Sequence, residues 1–466
     1  MTVPIRRLSV RGRSMPITAG LAALTAGAIA AAGLVVLTAA TPIKKIQFTD
    51  TKLKNGLRVI VSEDKSAPVV AVAVNYNVGS RDERKGRTGF AHLFEHMMFK
   101  GSENVGALEH PYLIFSNGGS MNGTTNKDRT LYYEILPSNQ VDLALFLEAD
   151  RMRSLDITAA NLDNQRNAVQ EERRLGVDNQ PYGKTFEVRD ELAYENFAYK
   201  HSVIGSMADL SAATVDDVAS FFKTYYAPNN AVLSIVGDVD AKTTIEKVRK
   251  YFESIPSQPA PPKVDMTEPD QKEERRTTLE DGLARLSRID MLYKIPPSSH
   301  ADFDALQVLG TILSSGRSSR FFESVVRDKQ LSTGVSAFAG ENRGPGLFAI
   351  VSTANPGKAV ADLEAAIDAE VERLKSTPIQ GWEMEKARNS ARSQLVGSLG
   401  SALNRAVTLG EDALFYDQPD RINTSADRIA KVTPEDVQRV AKQYLVKTGR
   451  TVVITVPKAP PAKGGL

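Results

Sequence analysis

The apolar positions change period along the chain. Residues 69–76 (Val-Val-Ala-Val-Ala-Val-Asn-Tyr) run largely apolar and β-branched, which predicts a buried strand. Residues 141–152 and 359–374 space their apolar positions as amphipathic helices do. Residues 161–174 contain no Gly or Pro and many strong helix formers, so they also predict a helix. On that helix Gln165, Ala168, Val169 and Glu172 share one face at i, i+3, i+4 and i+7. The neighbouring acid Glu171 points about 100° away. Strands and helices do not alternate strictly, so the expected class is α+β and not a doubly wound α/β sheet.

Part of the pattern occurs twice. Thr214-Val-Asp-Asp-Val218 and Thr433-Pro-Glu-Asp-Val437 lie 219 positions apart, and at that offset Lys223 meets Lys442 and Tyr225 meets Tyr444. Thr214 and Thr433 are both suited to cap a helix with an acidic first turn. A β-branched stretch follows each segment, at 231–236 and 451–456. Between the two copies, residues 255–263 (Ile-Pro-Ser-Gln-Pro-Ala-Pro-Pro-Lys) form a proline-rich break, with charged residues following as far as Arg276. Such a stretch favours an extended, semi-rigid linker. The expected organisation is an N-terminal segment at 1–40, a domain at 41–254, a linker at 255–276, a second domain of similar fold at 277–457 and a tail at 458–466.

Composition narrows the function classes. Hydrophobic residues at 42% and charged residues at 24% fit an ordinary globular protein. A net charge of +2 gives no reason to expect nucleic acid as a partner. The absence of cysteine excludes disulfides, thiolate metal sites and a cysteine nucleophile. At the N-terminus Arg6, Arg7, Arg11 and Arg13 precede an uncharged run over 14–43, with small residues at Thr38-Ala39-Ala40. This predicts a secretory signal cleaved near Ala40 and a periplasmic or exported protein. The same run is long enough to span a bilayer, so an uncleaved anchor facing the periplasm is the alternative, and the only membrane association expected.

The chemistry concentrates at His92-Leu93-Phe94-Glu95-His96, which holds two of the five histidines. On a helix, residues at i, i+3 and i+4 project to one side. Two imidazoles one turn apart can grip a zinc ion, and the carboxylate beside them can take a proton from a water on the metal. The order H-x-x-E-H is the inverted zincin pattern. Its flanks, Gly89-Phe90-Ala91 and Met97-Met98-Phe99, are largely apolar. A buried hydrogen-bonded His/Glu cluster is the bland alternative. A catalytic zinc takes a third protein ligand. Glu172 is the inward acid of its helix, although spacing alone fits a solvated acidic pair balanced by Arg173 and Arg174 equally well.

With Glu172 following His96 at this distance, the chain resembles the pitrilysin, insulinase and mitochondrial processing peptidase family of zinc peptidases. Other stretches resemble family landmarks in order: Leu53-Lys-Asn-Gly-Leu-Arg-Val-Ile60, Asn77-Val-Gly-Ser-Arg-Asp-Glu83, Gly118-Gly-Ser-Met-Asn-Gly-Thr-Thr125, His201-Ser-Val-Ile-Gly205 and Tyr226-Ala-Pro-Asn-Asn230. The resemblance covers residues 46–457. It implies two similar α+β domains facing each other like a clamp, one zinc held by His92, His96 and Glu172, and Glu95 as general base. Gln165, two turns before Glu172, is expected to orient a ligand or the water. Asn122, on a candidate edge strand, is expected to hold a substrate carbonyl of an extended peptide.

Ser318-Ser319-Arg320 resembles the family's substrate-gripping arginine region, but Thr333 stands where a tyrosine is usual. Some family members divide labour between a metal-bearing chain and a related chain carrying the arginine–tyrosine pair. This chain resembles the metal-bearing member, so a related subunit supplying the tyrosine is an expected partner. The expected function is a zinc endopeptidase acting on extended peptides. A noncatalytic peptide-binding or assembly subunit on the same scaffold is the alternative.

Overall fold

The computed structural model describes residues 44–458, so the expected signal or anchor at 1–40 lies outside the described residues. None of the helices there is long and apolar enough to cross a membrane. The fold is α+β and is organised around two sheets. The first contains β1 (Thr49–Lys52), β2 (Arg58–Glu63), β3 (Val69–Tyr76), β4 (Ser120–Thr125), β5 (Thr130–Pro137) and β6 (Ala231–Gly237) in the order β1-β2-β6-β3-β5-β4. The second contains β7 (Arg275–Asp281), β8 (Arg288–Ile295), β9 (Ser332–Ala339), β10 (Gly346–Ala354) and β11 (Arg450–Pro457) in the order β7-β11-β8-β10-β9.

Without β1, the two orders are the same topology. In the first sheet β6 runs parallel to β2 and antiparallel to β3, and in the second β11 runs parallel to β7 and antiparallel to β8. The last strand of each half follows the duplicated helix. Helices Val215–Tyr225 and Pro434–Tyr444 begin with the same capping box, Thr214 with Asp217 and Thr433 with Asp436. In each case the threonine hydroxyl accepts from the third amide while the aspartate reaches back to the threonine amide, which satisfies two otherwise unpaired donors. Residues 256–274, between the sheets, form neither helix nor strand. The Asn196 side chain holds this passage by donating to the carbonyls of Asp265 and Thr267, both at 2.9 Å.

Each half lends a helix to the other. On one face of the first sheet Val70, Val72, Val74 and Tyr76 join the main core. On the opposite face Ala71 and Ala73 pack with Ala406, Leu409 and Ala413 of helix Ala402–Tyr416, which comes from the second half. Gly410 permits that approach, since a Cβ there would lie 2.3 Å from Nδ2 of Asn75. Conversely, Ala193, Tyr194, Ala198 and Tyr199 of the first half cover Leu292, Leu347 and Ala349 of the second sheet. Both faces of β3 are therefore covered, which is why its side chains, Asn75 apart, are apolar without alternation.

The lent helix carries a pH-sensitive group. Burial raises the Asp412 carboxyl to about 7, with Arg421 opposing. In the unfolded chain an aspartate titrates near pH 4, roughly. The folded state therefore holds an extra proton between those values, and stability falls as pH rises through that window. Asp412→Asn is expected to match the wild-type urea midpoint near about pH 4 and to exceed it near about pH 8. Parallel midpoints at both values would place the charge cost elsewhere.

Candidate metal centre

Helix Phe90–Met97 carries three of the expected site residues, and its packing decides where they point. Phe94 lies against Tyr226 with ring centroids 4.1 Å apart and against Phe222 at 5.7 Å. Leu93 and Met97 are fully buried in the same core. Fixing that face turns His92 and His96 toward the partly open side, where their rings meet edge-on with centroids 4.8 Å apart.

Helix Ala159–Arg173 brings the carboxylate. Thr158 caps it by accepting from the Asn161 amide, and Leu162, Gln165 and Val169 bury its inner face. One Glu172 oxygen lies 3.6 Å from Nε2 of His92 and 3.3 Å from Nε2 of His96. Two donor atoms on a tetrahedral zinc with bonds of about 2.0–2.1 Å lie roughly 3.3–3.4 Å apart, so this spacing suits one shared ion. Two imidazole nitrogens and a carboxylate oxygen are also the donor types zinc takes. Burial and the adjacent His96 push His92 down to about 4, with Glu172 opposing. Its imidazole is therefore neutral at ordinary pH, the form that binds metal. Glu171 points elsewhere and accepts from Arg174 at 3.0 Å.

Glu95 stands apart from the three converging donor atoms. It is 8% exposed, and Oε2 accepts a 2.6 Å hydrogen bond from the Thr125 hydroxyl on β4. Burial raises its carboxyl above the ordinary range, while the Thr125 bond and His96 pull the other way. Gly123 makes room for it, since a Cβ there would sit 2.8 Å from Cγ and 3.0 Å from Oε1 of Glu95. The roles of Thr125 and Gly123 are not visible in the sequence, although both lie in the run 118–125 that resembles the substrate-side strand.

Among the described residues β4 is an edge strand, paired only with β5. Asn122 is exposed on it, and its side-chain oxygen accepts from the Gly123 amide at 2.9 Å. Gln165 is buried, and its side-chain nitrogen donates to Asn164. Among the described residues it makes no hydrogen bond to His92, His96 or Glu172. Arg320 does not stand free for substrate. It is 7% exposed and donates to both oxygens of Glu383, at 2.7 and 2.9 Å. The cation expected to grip substrate is thus spent inside its own half.

A second cluster of metal-ligating types, His110, Glu134 and Glu148, is fully buried. His110 Nε2 lies 3.0 Å from Glu134, while Arg151 donates to Glu148 at 2.9 Å and to Glu134 at 3.4 Å. Arg151 balances one carboxylate and burial raises the Glu148 carboxyl to about 8, so the cluster meets its charge with a guanidinium and a proton of its own. It lies beneath Phe99, just past helix Phe90–Met97, with the Arg151 guanidinium 5.1 Å from that ring.

The family described as Insulinase (Peptidase family M16) matches residues 58–206, and the one described as Peptidase M16 inactive domain matches residues 212–391. The chain belongs to peptidase family M16. The His92, Glu95 and His96 set and Glu172 all fall within the first of these M16 regions. The zinc protease PqqE of Helicobacter pylori is 31% identical over 408 residues, spanning 87% of this M16 chain and 92% of that protein. A crystal structure of a protease from Helicobacter pylori superposes with a TM-score of 0.85 at 30% identity, covering 88% of this chain and all of the other. The first half of the periplasmic protease PqqL from Escherichia coli shares the fold, with a TM-score of 0.73 at 18% identity over 90% of this chain and 94% of that one.

Proposed function

We propose that this chain is a zinc-dependent endopeptidase that hydrolyses extended peptides, with His92, His96 and Glu172 as ligands and Glu95 as general base. The observation carrying this reading is a buried carboxylate, raised by burial and hydrogen-bonded to Thr125, beside three converging zinc-type donors. A zinc ion held there lowers the pKa of water and polarises a carbonyl. Glu95 takes the proton from the attacking water and passes it to the leaving amine, and its raised proton affinity suits both steps. β4 ends its sheet, and an extended substrate adds to such an edge, with Asn122 exposed on it. Arg320 acts on substrate only after leaving Glu383.

The uncharged N-terminal run supports export to the periplasm, the compartment named for the protease PqqL. Thr333 is exposed on β9 where a tyrosine is usual in the family, which supports a related subunit as the source of that phenol. The same two features, a tied arginine and a missing tyrosine, favour the second reading of a peptide-binding subunit without turnover.

Zinc content together with cleavage of a quenched peptide separates the readings. The mature chain should bind one zinc and cleave, and a related subunit should raise the rate. A zinc-loaded chain that binds peptide and never cleaves it, alone or with such a subunit, would establish the second reading. Gly123→Ala gives a sharper check. The added methyl displaces Glu95 and leaves the ligands alone, so turnover should fall on the order of tenfold to a hundredfold with zinc content unchanged. Loss of zinc in that variant would mean that β4 supports the ligands and not the base.

A further inference from the structure

The helices bearing the imidazoles and the carboxylate must meet at a fixed distance, and the segment 201–213 is bonded to both. At the first helix the Glu83 carboxylate accepts from the amides of Gly89 and Ala91, at 2.9 and 2.8 Å, and so caps the turn that leads to His92. Nε2 of His201 lies 2.9 Å from that carboxylate. Thr88 donates to Asp209 through its amide at 3.0 Å and its hydroxyl at 2.5 Å, and it accepts from the Ser206 amide at 3.1 Å. The backbones touch here: a Cβ on Gly205 would lie 2.4 Å from the Thr88 carbonyl oxygen and 2.5 Å from Cα of Gly89.

At the second helix Arg166, Gln170 and Arg173 form one ridge at i, i+4 and i+7. All three donate to the same segment. Arg166 reaches the carbonyls of Leu210 and Ala213, at 3.1 and 2.6 Å. Gln170 reaches the Ser211 hydroxyl at 2.9 Å. Arg173 reaches the Gly205 carbonyl at 2.7 Å and also grips Glu187 with both terminal nitrogens. Just past Glu172 the α-helix widens into a π-helical stretch, Arg174–Asp178. Regular helix bonding therefore does not continue beyond the ligand, and Arg173 is the side chain that anchors that end.

We infer that residues 201–213 splint the two metal-bearing helices, and that Arg173 is a positioning residue that sets Glu172 through Gly205 and Glu187. The inference rests on the zinc-site reading. Its test is a double-mutant cycle in zinc affinity on the mature chain, measured by chelator competition for wild type, Arg173→Met, Glu172→Gln and the double variant. Arg173→Met should weaken zinc about tenfold or more, as loss of a partner that orients a ligand does. In the Glu172→Gln background it should add nothing, because its effect passes through Glu172. Arg173→Lys should recover part of the loss. Glu187→Gln provides the same cycle should Arg173→Met fail to fold. Equal weakening in both backgrounds, or a lower urea midpoint with unchanged zinc affinity, would overturn the inference and leave an ordinary structural ion pair. Equal zinc affinity in wild type and Glu172→Gln would overturn the zinc-site reading itself, and the splint with it.

Discussion

Glu95→Gln should bind zinc as the wild type does and hydrolyse peptide at least about 10²- to 10⁴-fold more slowly, the range a general base supplies. Glutamine preserves the volume that packs against Gly123, where a Cβ would lie 2.8 Å from Cγ of Glu95. It also keeps an oxygen to accept from the Thr125 hydroxyl. What it loses is the capacity to take a proton. The ligand atoms belong to other residues, so metal content should be untouched. Measuring bound zinc and single-turnover cleavage on the same preparation separates the two effects. Near-normal turnover with zinc in place would remove Glu95 from the reaction and leave it as a buried partner of Thr125.

The parts of this site that were legible from the sequence depend on local geometry. His92, Glu95 and His96 lie within one turn, and helix spacing alone puts them on one side. Helix spacing put Gln165, Ala168, Val169 and Glu172 on one face and Glu171 off it; in the fold Gln165 and Val169 are buried, Ala168 is exposed, the Glu172 side chain is half exposed beside the imidazoles, and Glu171 turns to Arg174. The capping boxes at Thr214 and Thr433 are also local, which is why the duplicated register was visible. Contacts between distant segments were not. Thr125 reaches Glu95 only because β4 lies beside helix Phe90–Met97, and Arg320 meets Glu383 across 63 positions. The exchanged helices were hidden for a related reason. An apolar stripe such as Ala406, Leu409 and Ala413 states that a helix is buried and not which sheet it covers.

The second large effect concerns the third ligand. Glu172→Gln should lower zinc affinity by more than the roughly 10- to 100-fold expected for losing a mere partner of a ligand. The carboxylate is ionised well before neutral pH: the hydrogen bond to His96 holds it below its ordinary value, with burial opposing. Loading a cation there therefore costs no proton from Glu172, and the negative charge offsets part of the ion's own charge. An amide at the same place keeps an oxygen near both imidazoles but is neutral and a weaker donor. Its chain neighbour Glu171 faces outward and accepts from Arg174 at 3.0 Å. The side chain of Glu172 is 50% exposed, so the substitution removes little packing, and the urea midpoint of the metal-free protein should stay close to wild type. Metal analysis after exhaustive dialysis, followed by chelator competition, reads the result directly. Unchanged affinity would remove Glu172 from the ligand set and leave two histidines seeking another third donor. Lost affinity with an unaltered metal-free midpoint would mean that the half-exposed carboxylate is held in place for the ion and not for the fold.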